Sequence, residues 1–136
     1  TPVLTGTIPI NIDIEGSDLD IACYWKDKSL FEQTLQTFVS HSGFEIIKKI
    51  HNNNETVIAR FYIDPFPIEI FGQNRPVELQ NSYRHMLVEH RVLQEKGEKF
   101  RSQILQLKKR GYKTEAAFAK IMGLVGDPFE ALLELE

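Results

Sequence analysis

Two rhythms of apolar and polar positions run along the chain, and the change between them falls near residue 75. In the first half, short apolar runs are bounded by Gly, Pro and Asn. Val3 to Ile8 reads as a strand carrying Gly6 and Thr7, and Leu19 to Trp25 as a second, reached through a loop with Pro9, Asn11 and Gly16. Ser29 precedes a helical stripe of Leu30, Phe31, Leu35, Phe38 and Val39, for which Gly43 is a natural stop. Phe44 to Ile50 and Thr56 to Ile63 are β-rich runs around the turn His51-Asn52-Asn53-Asn54. Pro65 and Pro67 then interrupt the chain before a short strand, Ile68 to Phe71.

The second half takes up helical spacing. One long helix is expected from near Val77 to Glu95, ended by Gly97, and another from Phe100 to Arg110, stopped by Gly111. Thr114 is an N-cap candidate for a third. Asp127-Pro128-Phe129-Glu130 starts a fourth, with a cap, a proline in the first turn and an acid at the third position. On the long helix, Leu79, Tyr83, Met86, His90 and Leu93 share a face, which makes His90 a core-edge histidine. His85 and Glu89 form a neighbouring ridge suited to a local pair, and Arg84 and Arg91 share another face. Lys108-Lys109-Arg110 reads as a solvated helix end that complements the helix dipole. The whole is α+β: a mixed sheet followed by a helical bundle packed on it, as a single domain over residues 1–136, with the sheet in 1–75 and the helices in 76–136.

Composition narrows the class. The chain has 136 residues, 42% of them hydrophobic, enough for a compact core. No apolar run approaches the length of a membrane span. The single cysteine, Cys23, argues against a disulfide scaffold and for a reducing, cytoplasmic setting. The chain begins at Thr1, as a piece of something longer would. Residues 1–75 carry ten acidic and six basic side chains and residues 76–136 nine and ten, so the halves hold −4 and +1. That balance disfavours nucleic acid as the main partner.

Candidate chemistry lies in the acids. Asp18 and Asp20 stand one residue apart at the mouth of an apolar strand, so they face the same way while Leu19 and Ile21 face a core. At about 7 Å and an effective dielectric near 20, two such charges repel by roughly 2 kcal/mol. No Lys or Arg occurs between Ile8 and Trp25, so the neighbouring sequence supplies no counter-charge. A hard divalent cation with oxygen ligands is the economical answer, and two solvent-facing aspartates are the plainer alternative. Glu69, between Ile68 and Ile70, would join the pair if its strand lies beside theirs. Three carboxylates at one point suit two metal ions and a phosphoryl displacement. Gly6 permits close backbone approach, and Thr7 adds a hydroxyl and an N–H.

Gly6-Thr7, Asp18-Leu19-Asp20 and Ile68-Glu69-Ile70, in that order, resemble the signature of the polymerase-β-like nucleotidyltransferase superfamily, with Gly16-Ser17-Asp18-Leu19-Asp20 close to its minimal members. The whole chain, including Tyr83-Arg84-His85-Met86, Lys113-Thr114-Glu115 and Gly126-Asp127-Pro128-Phe129, resembles one bacterial domain-of-unknown-function family within it. The resemblance implies a nucleotidyltransferase-like sheet and two Mg²⁺ ions held by Asp18, Asp20 and Glu69, with Glu69 helping to deprotonate an acceptor hydroxyl. Gly6 and Thr7 would contact a triphosphate, Ser17 would shape the turn, and Arg84 and Lys113 are the candidate phosphate cations from the helical half. The implied reaction moves a nucleoside monophosphate from a nucleoside triphosphate to a small-molecule or protein hydroxyl. The alternative is a catalytically silent fold serving as a nucleotide-binding or protein-interaction module, such as a toxin–antitoxin partner. The sequence departs from the pattern in having Ile8-Pro9-Ile10-Asn11 after the glycine, where active members often carry a helix with a cation.

Overall fold

Five strands form one sheet: β1 (Val3–Thr5), β2 (Leu19–Tyr24), β3 (Ser42–His51), β4 (Asn54–Ile63) and β5 (Phe66–Gln73), in the order β1-β2-β5-β4-β3. The computed structural model describes all residues from Thr1 to Glu136. β2 and β5 run parallel, and every other neighbouring pair is antiparallel. The tight turn at Asn52 and Asn53, with φ of 50° and 63°, sets the β3–β4 register; asparagine tolerates the left-handed backbone that such hairpins need.

Contacts divide the chain into two units, Thr1–Gly6 with Gly16–Tyr83 and Thr7–Glu15 with Arg84–Glu136. In the first, alternation sends Leu19, Ile21 and Cys23 of β2, Val57, Ala59 and Phe61 of β4, and Ile68 and Ile70 of β5 into one cluster. Helix α1 (Lys28–Gln36) adds Phe31 and Leu35 to that cluster, and Trp25 packs against Phe31 with ring centroids 5.3 Å apart and the planes tilted by 36°. Those large side chains that are fully buried, such as Leu35 and Val57, each contribute roughly 1.5–3 kcal/mol by leaving water. Asp27, two residues before the predicted Ser29, caps α1 by accepting the Leu30 amide at 3.2 Å. Gly43 does not end that helix. At φ +71° it sits where β3 slips register between Ser42 and Glu45.

Other expected elements are shortened or divided for local reasons. The first strand ends at Thr5, because Gly6 turns the chain at φ +81° and Pro9 belongs to a 3₁₀ turn, Ile8–Ile10. The short strand expected at Ile68–Phe71 extends over all of β5 and pairs along its length with β4. The long helix expected from Val77 is divided into a 3₁₀ turn, Val77–Leu79, an extended Gln80, and α2 (Asn81–Lys96). Gln80 makes that break: its buried side-chain amide donates to the carbonyls of Cys23 and Arg75, each at 2.9 Å.

In the second unit α2 is followed by α3 (Glu98–Lys109), α4 (Thr114–Met122) and α5 (Pro128–Leu133). The α5 start is as expected, with Asp127 accepting the Glu130 amide, whereas Lys113 rather than Thr114 occupies the α4 cap position. The buried stripe of α2 is His85, Met86, Val88, Glu89, Val92 and Leu93, so His90 is exposed rather than at the core edge. His85 donates to the Phe129 carbonyl at 2.7 Å instead of pairing with Glu89. Lys108 is not a solvated helix end: it is buried, and its ammonium donates to the Ile12 carbonyl. Arg101, also on α3, donates to the carbonyls of Ile10 at 2.6 Å and Asn11 at 3.0 Å, so two cations of one helix hold segment 7–15.

Glu89 is 3% exposed, with one carboxyl oxygen lacking a hydrogen-bond partner. Burial, reinforced by Glu115 and opposed by Lys108, pushes its pKa up to about 8. A carboxyl whose pKa is raised on folding favours the folded state while protonated, and that contribution is lost as pH rises from its unfolded value towards about 8. Urea denaturation between about pH 5 and 8 should therefore show stability falling with pH in the wild type and a flatter profile in Glu89→Gln; identical slopes would remove Glu89 as the cause. In the first unit, a Cβ on Gly72 would lie 2.4 Å from the Phe31 ring. Gly72→Ala should cost roughly 1–3 kcal/mol in the same assay, as overpacking of a core does.

Candidate functional site

The sheet face opposite the core changes character along its length. Ala22 and Ile58 make it apolar and buried in one part, while Asp20, Glu69, Arg60 and Tyr62 make it polar in another. The register explains why these groups meet. In the parallel β2–β5 pair Asp20 lies opposite Glu69, and in the antiparallel β4–β5 pair Glu69 lies opposite Arg60. Side chains directly opposite on neighbouring strands share a face at about 5 Å.

One carboxylate oxygen from each of Asp18, Asp20 and Glu69 lies within 4.8 Å of the other two. Asp18 is exposed, and the other two are half-buried. At that spacing and an effective dielectric near 20, each ionised pair repels by roughly 3 kcal/mol. The Asp18 pKa is raised, first by burial and then by the Glu69 charge, with Arg60 opposing both. The donor set is all oxygen, close-set and negatively charged, and it fits a hard divalent cation of the Mg²⁺ type.

Arg60 was not among the residues singled out by sequence. Its Nε donates to Glu69 Oε2 at 2.9 Å, and its Nη1 lies 3.9 Å from Glu45 Oε1. The hydrogen bond and charge of Glu69 raise the Arg60 pKa further, so the guanidinium is a fixed positive charge. The sequence neighbouring the aspartates supplies no counter-charge; it comes instead from Arg60 on β4, 40 residues after Asp20. The hairpin carries the signal that would have found it. With β4 ending at Ile63 and β5 starting at Phe66, counting outward from the turn places Arg60 opposite Glu69. Beside Glu69 opens a cleft of about 200 Å³, bounded by Asp18, Ser42, Arg60, Tyr62, Pro67 and Glu69.

The remaining sequence candidates are distributed differently. Gly6 lies against Asp20: a Cβ there would stand 2.5 Å from Asp20 Oδ2. Ser17 precedes the aspartates in the same unit. Thr7, Arg84 and Lys113 belong to the second unit, where Thr7 precedes the Ile8–Ile10 turn and accepts the Ile12 amide on its carbonyl at 3.1 Å. Arg84 is engaged by the Glu136 carboxylate through Nε at 2.9 Å and through Nη2. Arg91, sharing its helix, donates to the Leu135 carbonyl.

Residues 1–135 match a family described as Domain of unknown function (DUF4269), and the chain belongs to that family. No curated protein matches it in sequence. In structure it is similar to a Cid1 poly(U) polymerase solved with MgGTP bound, at TM-score 0.56 and 12% identity over 79% of this chain and 34% of that one. It is similar also to a cytoplasmic RNA terminal U-transferase, at TM-score 0.55 and 12% identity over 79% and 33%. The same Cid1 polymerase with Mg and 3′-dATP bound gives TM-score 0.59 and 10% identity over 97% and 40%. The chain spans between 33% and 40% of the length of these proteins. At such identities the likeness speaks to the fold, which is nucleotidyltransferase-like: a five-stranded mixed sheet with helices.

Gly6 and Gly16 share a left-handed backbone, at φ +81° and +86°, but a Cβ on Gly16 would meet nothing within 4 Å. Gly6→Ala should therefore lower the urea midpoint clearly more than Gly16→Ala, because only Gly6→Ala adds displacement of Asp20 to the backbone strain. Equal losses would mean that the close approach to Asp20 costs nothing.

Proposed function

We propose that this chain is a metal-dependent nucleotidyltransferase, moving a nucleoside monophosphate from a nucleoside triphosphate to a hydroxyl on a small molecule or protein. One observation carries the reading: Asp20 and Glu69 on adjacent strands of a nucleotidyltransferase-like sheet, and Asp18 just before the first of them, bring three carboxylates within 4.8 Å of one another. Such a set is costly to assemble unless a cation uses it.

Asp18, Asp20 and Glu69 would hold Mg²⁺, two ions in the fullest form. Bound there, Mg²⁺ supplies charge neutralisation at the α-phosphate and at the departing pyrophosphate. The chain's own residues supply the rest. Glu69 takes the proton of the acceptor hydroxyl as the new O–P bond forms and the bond to pyrophosphate breaks. Gly6 keeps the space beside Asp20 clear of any side chain. The cleft between Glu69, Tyr62 and Ser42 offers room for an acceptor of modest size.

A second reading has one specific observation in its favour. Arg84, one of the two candidate phosphate cations, is already engaged by Glu136. A silent nucleotidyltransferase-like fold, binding nucleotide or a protein partner of the toxin–antitoxin type in a bacterial cytoplasm, would leave that pair in place.

Pyrophosphate release separates the two. Incubated with Mg²⁺, the four nucleoside triphosphates and a panel of hydroxyl acceptors, the wild type should release pyrophosphate, and Asp18→Asn, Asp20→Asn and Glu69→Gln should each lower the rate at least a hundredfold. Tight nucleotide binding by calorimetry without turnover in any combination would favour the silent module. Turnover that survives Asp20→Asn would place the chemistry elsewhere.

A further inference from the structure

On the reading that Asp18, Asp20 and Glu69 take a divalent cation, we propose that Arg60 is the resident counter-ion of that site, a positioning residue that hands Glu69 to the metal and withdraws to Glu45. The guanidinium stands between two carboxylates of opposite roles. Glu69, at 2.9 Å, belongs to the converging trio; Glu45, at 3.9 Å, does not. Both partners are set by register, since Arg60 lies opposite Glu69 on β5 and opposite Glu45 on β3. A short move of one flexible side chain, with no backbone change, exchanges one partner for the other.

The physical reason for the exchange is competition for the same charge. Without metal, Arg60 offsets the repulsion among the trio and fixes the Glu69 carboxylate by a charge-assisted hydrogen bond. A divalent cation seated among the same oxygens meets a positive guanidinium a few ångströms away and repels it. Glu45 is the receiving group, about 57% exposed and already near enough to hold the displaced charge. The Arg60 side chain is half exposed and borders the open cleft, so the path is free. Metal entry therefore costs the breaking of one ion pair, which Glu45 partly returns.

Calorimetric titration of Mn²⁺ into the nucleotide-free chain, together with thermal melts, tests this. Asp20→Asn should abolish binding; if it binds Mn²⁺ as the wild type does, the metal reading itself fails, whatever Arg60 does. With that control in hand, Arg60→Gln should bind Mn²⁺ at least tenfold more tightly than wild type, and Arg60→Lys should stay close to wild type. Lys49→Gln, which removes a positive charge from β3 without touching the site, should change affinity less than twofold. Glu45→Gln should weaken binding severalfold in the wild type and not in the Arg60→Gln background, since it acts through Arg60. Arg60→Gln should also melt below wild type without metal, and the gap should close at saturating Mn²⁺. Unchanged or weaker Mn²⁺ binding by Arg60→Gln, or a melting deficit that persists with metal, would reduce Arg60 to an ordinary cross-strand ion pair and overturn the proposal.

Discussion

The pairing of β2 with β5 is the constraint on which the site rests. It is the one parallel pair in the sheet, and it sets Asp20 opposite Glu69 with no freedom to slip. A shift of one residue would turn Glu69 towards the core occupied by Ile68 and Ile70 and turn those side chains outward. The hydrophobic cluster on one face thus enforces the charge cluster on the other. Burial of the apolar side chains pays for holding like charges together, and α1, through Phe31 and Leu35, completes that burial.

From that constraint the electrostatics follow. β2 and β5 deliver Asp20 and Glu69, the loop entering β2 delivers Asp18, and β4 delivers the cation that makes the assembly tolerable. Arg60 is a single positive charge against three negative ones, so the charge balance among them is incomplete. The direction of the Asp18 pKa reflects this: burial and Glu69 raise it despite Arg60. Glu89, the buried acid of α2, meets the cost of burial differently, holding its proton towards about pH 8 in a helical setting with Lys108 nearby. Charge is offset by a neighbouring guanidinium at the first place and by retention of a proton at the second.

Much of this was legible in the sequence, and the gaps have physical causes. The strand β2, the β3–β4 hairpin, the α5 cap and the acids Asp18, Asp20 and Glu69 could all be read from local pattern, because alternation and turn chemistry are local properties. Arg60 was missed because its relevance depends on a hairpin whose second strand was read too short, at Ile68–Phe71 rather than Phe66–Gln73. The break at Gln80 was hidden because helical spacing continues through it, and only hydrogen bonds to Cys23 and Arg75 show why the helix starts late. Lys108 looked solvent-facing in a basic run, yet a carbonyl 96 residues away in sequence takes its charge inside. For Gln80 and Lys108 a deciding partner, Cys23 or Ile12, is distant along the chain.

The central claim is that the three carboxylates form a divalent-cation site. Anomalous diffraction from crystals grown or soaked with Mn²⁺ tests it most directly. The account predicts an anomalous peak bounded by oxygens of Asp18, Asp20 and Glu69, with the Arg60 guanidinium moved off Glu69. Crystals saturated with Mn²⁺ that show no peak there, and an Arg60–Glu69 pair left intact, would contradict it.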